Sequence, residues 1–182
     1  MNKVYAKEFS EIPQTLLLNE ELRSSVIKLI DEQPMAGKVT EGADRLNRFR
    51  KILKTFAVGE LGLVEAYRTT SAEIPRHLSS YSANNNVFCD RWAERLVRTQ
   101  YSRFYNQAVL EQLIAEGHSE CFIHHSSEEA ENSKCSQYLA GRAHDPHILH
   151  HRLINAYANG AWNKELKLPD HPYCSHVVAP IE

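Results

Sequence analysis

The sequence has no apolar run near the roughly 20 residues that a helical membrane span needs. Its opening, MNKVYAKEFSEIPQ, lacks the apolar core of a secretory signal. Cysteine is scarce, with four in 182 residues, which excludes a disulfide scaffold and points to synthesis in a reducing compartment. Neither sign of charge dominates. The 21 Lys and Arg against 23 Asp and Glu leave a formal charge of -2, so no global basicity marks a nucleic-acid or membrane binder. No G-x-S-x-G, Walker A, G-x-G-x-x-G, H-E-x-x-H or C-x-x-C occurs, and the sequence therefore offers no ready catalytic constellation. What remains is globular: 42% hydrophobic, 24% charged and 9% aromatic residues. A chain of this length buries about 70% of its unfolded surface and needs no covalent staple.

Histidine is abundant. There are ten, nine of them at or after His118 and only His77 before. The chain thus divides into a basic-leaning, helix-like first part and a His-rich, mildly acidic second part.

Periodicity assigns the elements. Residues 8–14 read as irregular or briefly extended. Leu16–Leu18, Leu22, Val26 and Leu29–Ile30 recur at helical spacing, and Pro34 and Gly37 end that helix. Leu46 to Tyr67 reads as a second helix strained by Gly59 and Gly62, where a break or a tight contact is expected. Residues 79–86 read as a loop. A third, long helix runs near 90–116, with Asp90 as candidate N-cap and Gly117 just past its end. Residues 120–125 have strand character, 126–131 form a polar turn, and 134–139 make one or two helical turns closed by Gly141. Helical spacing returns at Ile148, Leu149, Leu153 and Tyr157, and residues 175–181 close the chain as a strand paired with 120–125. The fold class is mostly α-helical α+β: a helical N-terminal region (1–89), then a domain (90–182) with a long helix and a small end carrying a two-stranded sheet.

Four groups of residues could carry chemistry. Arg91, Arg95 and Arg98 share a helix face, and Arg45, Arg48, Arg50, Lys51 and Lys54 make a second basic segment. Such faces meet phosphates or acidic partner surfaces, and equally often are solvated or paired within the chain, here with Glu94. Tyr101, Phe104, Tyr105 and Asn106 read as core packing. Cys135, His171, Cys174 and His176 are metal ligands by type, and two turns bearing them could hold a structural zinc. The first turn supplies a single cysteine, since Tyr138 stands where a second ligand would fall. Packed thiols, hydrogen-bonded histidines or a Cys135–Cys174 disulfide account for the same residues. Either way Cys135 and Cys174 should lie close together. His144, His147, His150 and His151 read as a surface cluster. Glu128 and Glu129 read as a local pair of acids.

One ordered string covers about residues 90–182. It runs Glu94-Arg-Leu-Val-Arg-Thr-Gln100, Tyr101-Ser-Arg-Phe-Tyr-Asn-Gln-Ala108, Ala115-Glu-Gly117, Phe122, Lys134-Cys-Ser-Gln-Tyr-Leu-Ala-Gly-Arg142 and Leu168-Pro-Asp-His-Pro-Tyr-Cys-Ser-His176, ending in Val177 to Ile181. This resembles the C-terminal domain of tailed-phage minor head proteins of the phage Mu F-like family. The sequence departs from that pattern at Gln100, where the family has Glu, and at Tyr138, where many members have a second Cys. It also departs in a longer, His-rich stretch between Gly141 and Pro169.

The resemblance implies a non-enzymatic virion component, made in the host cytoplasm and present in multiple copies in an assembly. Its partners would be a portal or capsid protein and double-stranded DNA, and it would act in head morphogenesis, DNA packaging or delivery. Two alternatives come from the residues themselves. One is a small metal-dependent nuclease drawing on His124, His125, Cys135, His171, Cys174 and His176. The other is a DNA-binding module without chemistry.

Overall fold

The computed structural model describes residues 3–161 and 164–181. The elements are α1 (Ile12–Leu18), α2 (Glu20–Glu32), α3 (Ala43–Ala57), α4 (Leu63–Glu73), α5 (Trp92–Ala115), β1 (Cys121–Ile123), α6 (Lys134–Tyr138), β2 (Arg142–His144), α7 (Pro146–Leu153) and β3 (Val178–Pro180). The architecture is the mostly helical α+β class expected. Several local details differ from the sequence pattern.

Residues 8–14 are not irregular. A short 3-10 turn at Phe9–Glu11 leads directly into α1. The helix expected over residues 16–30 is two helices. Asn19 interrupts them because its side chain caps α2, accepting from Leu22 N at 3.1 Å while its amide donates to Val4 O at 2.9 Å. The second helix breaks where its glycines stand. Gly59 takes φ +80 between α3 and α4, and Gly62 opens α4 with the Glu65 carboxylate on its backbone N–H. Asp90 is not the cap of α5. That place is taken by Arg91 in the left-handed region at φ 56. Beyond α7 the helix widens into a π-helical turn over Ile154–Ala158.

The small sheet has three strands rather than two. β1 pairs antiparallel with β3, as the sequence pattern predicts, placing Cys121 opposite Pro180 and Ile123 opposite Val178. β2, from the stretch after Gly141, adds to the other edge of β1, with Cys121 opposite His144. A three-residue strand with both faces partly polar gives too little alternation to be seen in sequence.

Helix α5 organises the molecule. It packs against α2 and α4 on one side and against α7 and β3 on the other. Every residue from Gln100 to Leu110 is buried. Tyr101, Phe104, Tyr105 and Asn106 are all fully enclosed, as core packing requires. Phe56 stacks on Tyr101 with ring centroids 4.1 Å apart. A helix buried all round must satisfy its polar residues internally. Tyr105 Oη accepts from Ala6 N at 2.7 Å. Asn106 Nδ2 donates to Ser102 O at 2.9 Å, and Asn106 Oδ1 accepts from Val178 N at 2.8 Å, tying α5 to β3. Arg103 is fully buried, with its guanidinium on Gln100 Oε1 and Pro34 O, both at 2.9 Å, and over the Phe104 ring. Its partner at 100 is a neutral amide, so burial without a facing carboxylate pulls its pKa down to about 10.

The N-terminal residues cross to the far end of the chain. Phe9 N donates to Ser175 O at 2.8 Å, and Glu8 bridges to His176. This crossing positions the site below.

Candidate metal centre

Two turns meet under the N-terminal crossing. The first starts at α6. Ser133 caps it, its hydroxyl accepting from Ser136 N at 3.2 Å, which fixes Cys135 on the buried side of the first turn. The second is the turn before β3, where Cys174 N donates to His171 O at 3.0 Å and so folds the His171–Cys174 segment tightly. Cys135 and Cys174 come together, as the sequence reading expects. With them lie Glu129 and His176. One donor atom from each of the four, two sulfurs, a carboxylate oxygen and a ring nitrogen, lies within 4.8 Å of the others. The Cys135, Cys174 and His176 residues are buried, and the Glu129 side chain is only 4% exposed. This Glu/Cys/Cys/His cluster could hold a metal ion.

The electrostatics of the cluster call for a cation. Three groups that are anionic when ionised converge in a space the width of one ion. Cys135 Sγ is 3.0 Å from Glu129 Oε1, which puts either a proton or a cation between them. The hydrogen bond from Cys174 and the neighbouring His171 hold the Cys135 thiol well below the ordinary thiol range, while Cys135 and burial push Cys174 up. Most telling is His176. Its ring is fully buried, and Nδ1 has no hydrogen-bond partner, although Glu129 Oε2 stands 3.5 Å away. A buried nitrogen without a partner costs about 1–3 kcal/mol. A metal ion at the centre of the four donors would use that lone pair. The other ring nitrogen faces Ser136 Oγ at 3.5 Å.

Glu129 is the residue that sequence reasoning missed. It sits in the polar turn before α6, where Glu128 and Glu129 resembled ordinary surface acids. Its position is fixed by long-range partners. Ser175 donates to Oε2 through its backbone N at 2.9 Å and its hydroxyl at 3.1 Å, and His171 Nε2 lies 2.6 Å from Oε1. The signal available in sequence was only an acid in the turn upstream of Cys135. His171 stands beside the four-donor set. Cys135 at 3.5 Å and then Glu129 push its pKa up to about 9. Its side chain is 39% exposed.

The N-terminal segment braces the turn that carries Glu129. Glu8 accepts from Ser127 N at 2.8 Å, Ser127 Oγ at 2.9 Å and Ser126 Oγ at 3.0 Å. Burial opposes ionisation of Glu8, but these donors outweigh it and lower the pKa below 4.5. The stabilisation is therefore complete above the unfolded value of 4.5 and is lost as pH falls through the lower folded value. Glu8→Gln should reduce stability by about 1 kcal/mol at neutral pH, read as a lower urea midpoint. Its gap from wild type should narrow as pH falls below 4.5 through the lower folded value, as the Glu8 carboxylate takes up a proton. A gap that stays equally wide would remove the charge from the account.

The other sequence candidates lie elsewhere. Arg91, Arg95 and Arg98 surround Tyr173, their guanidinium carbons 5.1, 5.8 and 5.5 Å from the ring centroid, and Arg98 also lies 4.1 Å over Phe9. Arg91 pairs with Glu94 at 2.6 Å. The arginine face thus cradles the turn that carries Cys174. Arg45 clamps a loop through Val39 O, Ile74 O and Pro75 O, and Arg48 pairs with Asp44 and Glu73. Lys51 is exposed on the same helix, α3. His124 packs edge-on against Phe122, and His125 lies over Gly141, both outside the four-donor set. His144 and His150 are tied to Leu139 O and Glu111.

No family model, no curated protein and no solved structure matches the chain.

Proposed function

We propose that this protein is a structural component of a tailed-phage head, akin to the Mu F-like minor head proteins, whose C-terminal end is pinned by a zinc ion. The observation that carries the reading is the meeting of the α6 turn with the His171–His176 turn in one buried cluster. Both segments belong to the ordered string on which the resemblance rests, and they are far apart in sequence. Their convergence supports treating them as a single frame.

Zinc suits the donors. Two thiolates, an imidazole and a carboxylate give it the soft and borderline ligands it prefers in a tetrahedral set. Cys135, Cys174, His176 through Nδ1 and Glu129 would hold it. Bound there, zinc supplies charge neutralisation and a cross-link between two short turns. A four-donor set leaves no ligand position for water, which supports a structural ion over the hydrolytic metal of a nuclease.

The surface reading follows the same lines. Arg91 is exposed at the head of α5, although paired with Glu94, and Arg48 and Lys51 are exposed on α3, Arg48 paired with Asp44 and Glu73. A portal or capsid subunit, with double-stranded DNA beside it, is the partner these faces suit. Mass spectrometry of purified phage particles from an infection expressing the gene tests the proposal. The protein is expected in intact heads and in portal complexes. Recovery only in the free lysate, with none in particles, would refute the assembly role.

A further inference from the structure

Cys135 and Cys174 have a second chemistry open to them besides holding a metal. Their sulfurs are within 4.8 Å of one another. Neither lies in a long rigid element: Cys135 sits in a five-residue helix and Cys174 in a turn. The chain's other cysteines are placed differently. Cys121 lies in the sheet with its Sγ donating to His144 O at 3.3 Å, and burial pushes its thiol up to about 12. Cys89 is half-buried in the loop before α5. A cavity adjoins the cluster on its Glu129 side. It is polar, about 630 Å³ in volume, and lined by His125, Ser126, Ser127, Glu129, Glu131 and Ser136.

We propose that Cys135 and Cys174 form a redox-modification site, in which a hydroperoxide converts the metal-holding pair into a disulfide and expels the ion. The inference rests on the zinc reading for its starting state. The Cys135 sulfur attacks one peroxide oxygen, the O–O bond breaks, and hydroxide leaves, giving a sulfenic acid. The Cys174 sulfur attacks that sulfur, the S–S bond forms, the S–O bond breaks, and a second hydroxide leaves. Two protons from water or buffer turn both hydroxides into water. The two thiolates lose two electrons and the peroxide gains them. Only Glu129 and His176 then remain as donors, and two such ligands do not retain zinc against water. The disulfide joins the same two turns that the ion joined, so the end of the molecule stays pinned while its charge changes.

Treatment of the zinc-loaded, full-length protein with hydrogen peroxide tests this. One equivalent of zinc should pass to a colorimetric chelator. The intact mass should fall by two hydrogens, and a peptide map should link Cys135 to Cys174. Reduction with dithiothreitol should restore zinc uptake. Zinc loss with sulfinic acids and no Cys135–Cys174 link would overturn the proposal, as would a protein that keeps its zinc and all its thiols. A chain that takes up no metal at all refutes the zinc reading instead. In that chain the peptide map still decides the thiol pair: a Cys135–Cys174 link under peroxide supports it, and free thiols reject it.

Discussion

Removing zinc from the loaded protein with a strong chelator is expected to lower its melting temperature by about 8–16 °C. The argument is one of linkage. A ligand that binds only the folded state at about 1,000 times its dissociation constant adds about 4.1 kcal/mol. Each kcal/mol moves the melting point of a chain of this size by about 2–4 °C. The unfolded chain cannot bind comparably, because its donors come from the 126–131 turn, from α6 and from the 171–176 turn, which only folding brings together. Without the ion, the unpartnered Nδ1 of His176 and the crowded Glu129, Cys135 and Cys174 are left facing each other. Metal analysis with melts in chelator and in added zinc provides the check. A protein that purifies with no metal, takes none up, and melts alike in both conditions contradicts the prediction.

The second large effect lies away from the cluster. Asn106→Ala should destabilise the protein by about 3 kcal/mol. Asn106 is fully buried on α5, and its carbonyl oxygen receives the Val178 N–H at 2.8 Å. Alanine leaves that amide buried without an acceptor, which costs about 1–3 kcal/mol, and leaves a void that the packed helix cannot close. Because β3 pairs with β1 and follows the turn bearing Cys174 and His176, the loss is felt in the metal cluster as well. Urea denaturation should show the drop in midpoint, and hydrogen exchange should show the Val178 amide losing protection. A change below about 0.5 kcal/mol, the level of an ordinary surface substitution, would show that the bond carries no weight.

The contrast between these two residues shows what is legible in a sequence. Asn106 lies in a helix whose periodicity is plain, and its burial follows from the aromatic residues beside it. Its partner, Val178, is 72 residues away, and nothing in the pattern names it. The metal cluster divides in the same way. Cys135, Cys174 and His176 stand out by residue type, because few side chains ligate metals well. Glu129 does not, because acidic residues in polar turns are common. Only the hydrogen bonds from Ser175 and His171 distinguish it from Glu128. The arginine stripe of α5 is legible as a face, but its engagement with Tyr173 is not, because that contact depends on where the 171–176 turn lands.

The sequence by itself determined the fold class and the approximate course of most helices. Periods of 3.6 and 2 residues, glycine breaks and the lack of one-sided charge are short-range properties that the chain carries in any conformation. It also marked Cys135, His171, Cys174 and His176 as candidate ligands by residue type, though not Glu129. Tertiary structure alone decided which of them do meet. It brought the N-terminal crossing through Glu8 and Phe9 onto the last turn, set Glu129 rather than His171 among the four donors, and left Nδ1 of His176 buried without a partner. The physical reason is that a metal cluster is a set of long-range contacts. Each is fixed by packing and hydrogen bonds between distant segments, and neither depends on spacing along the chain.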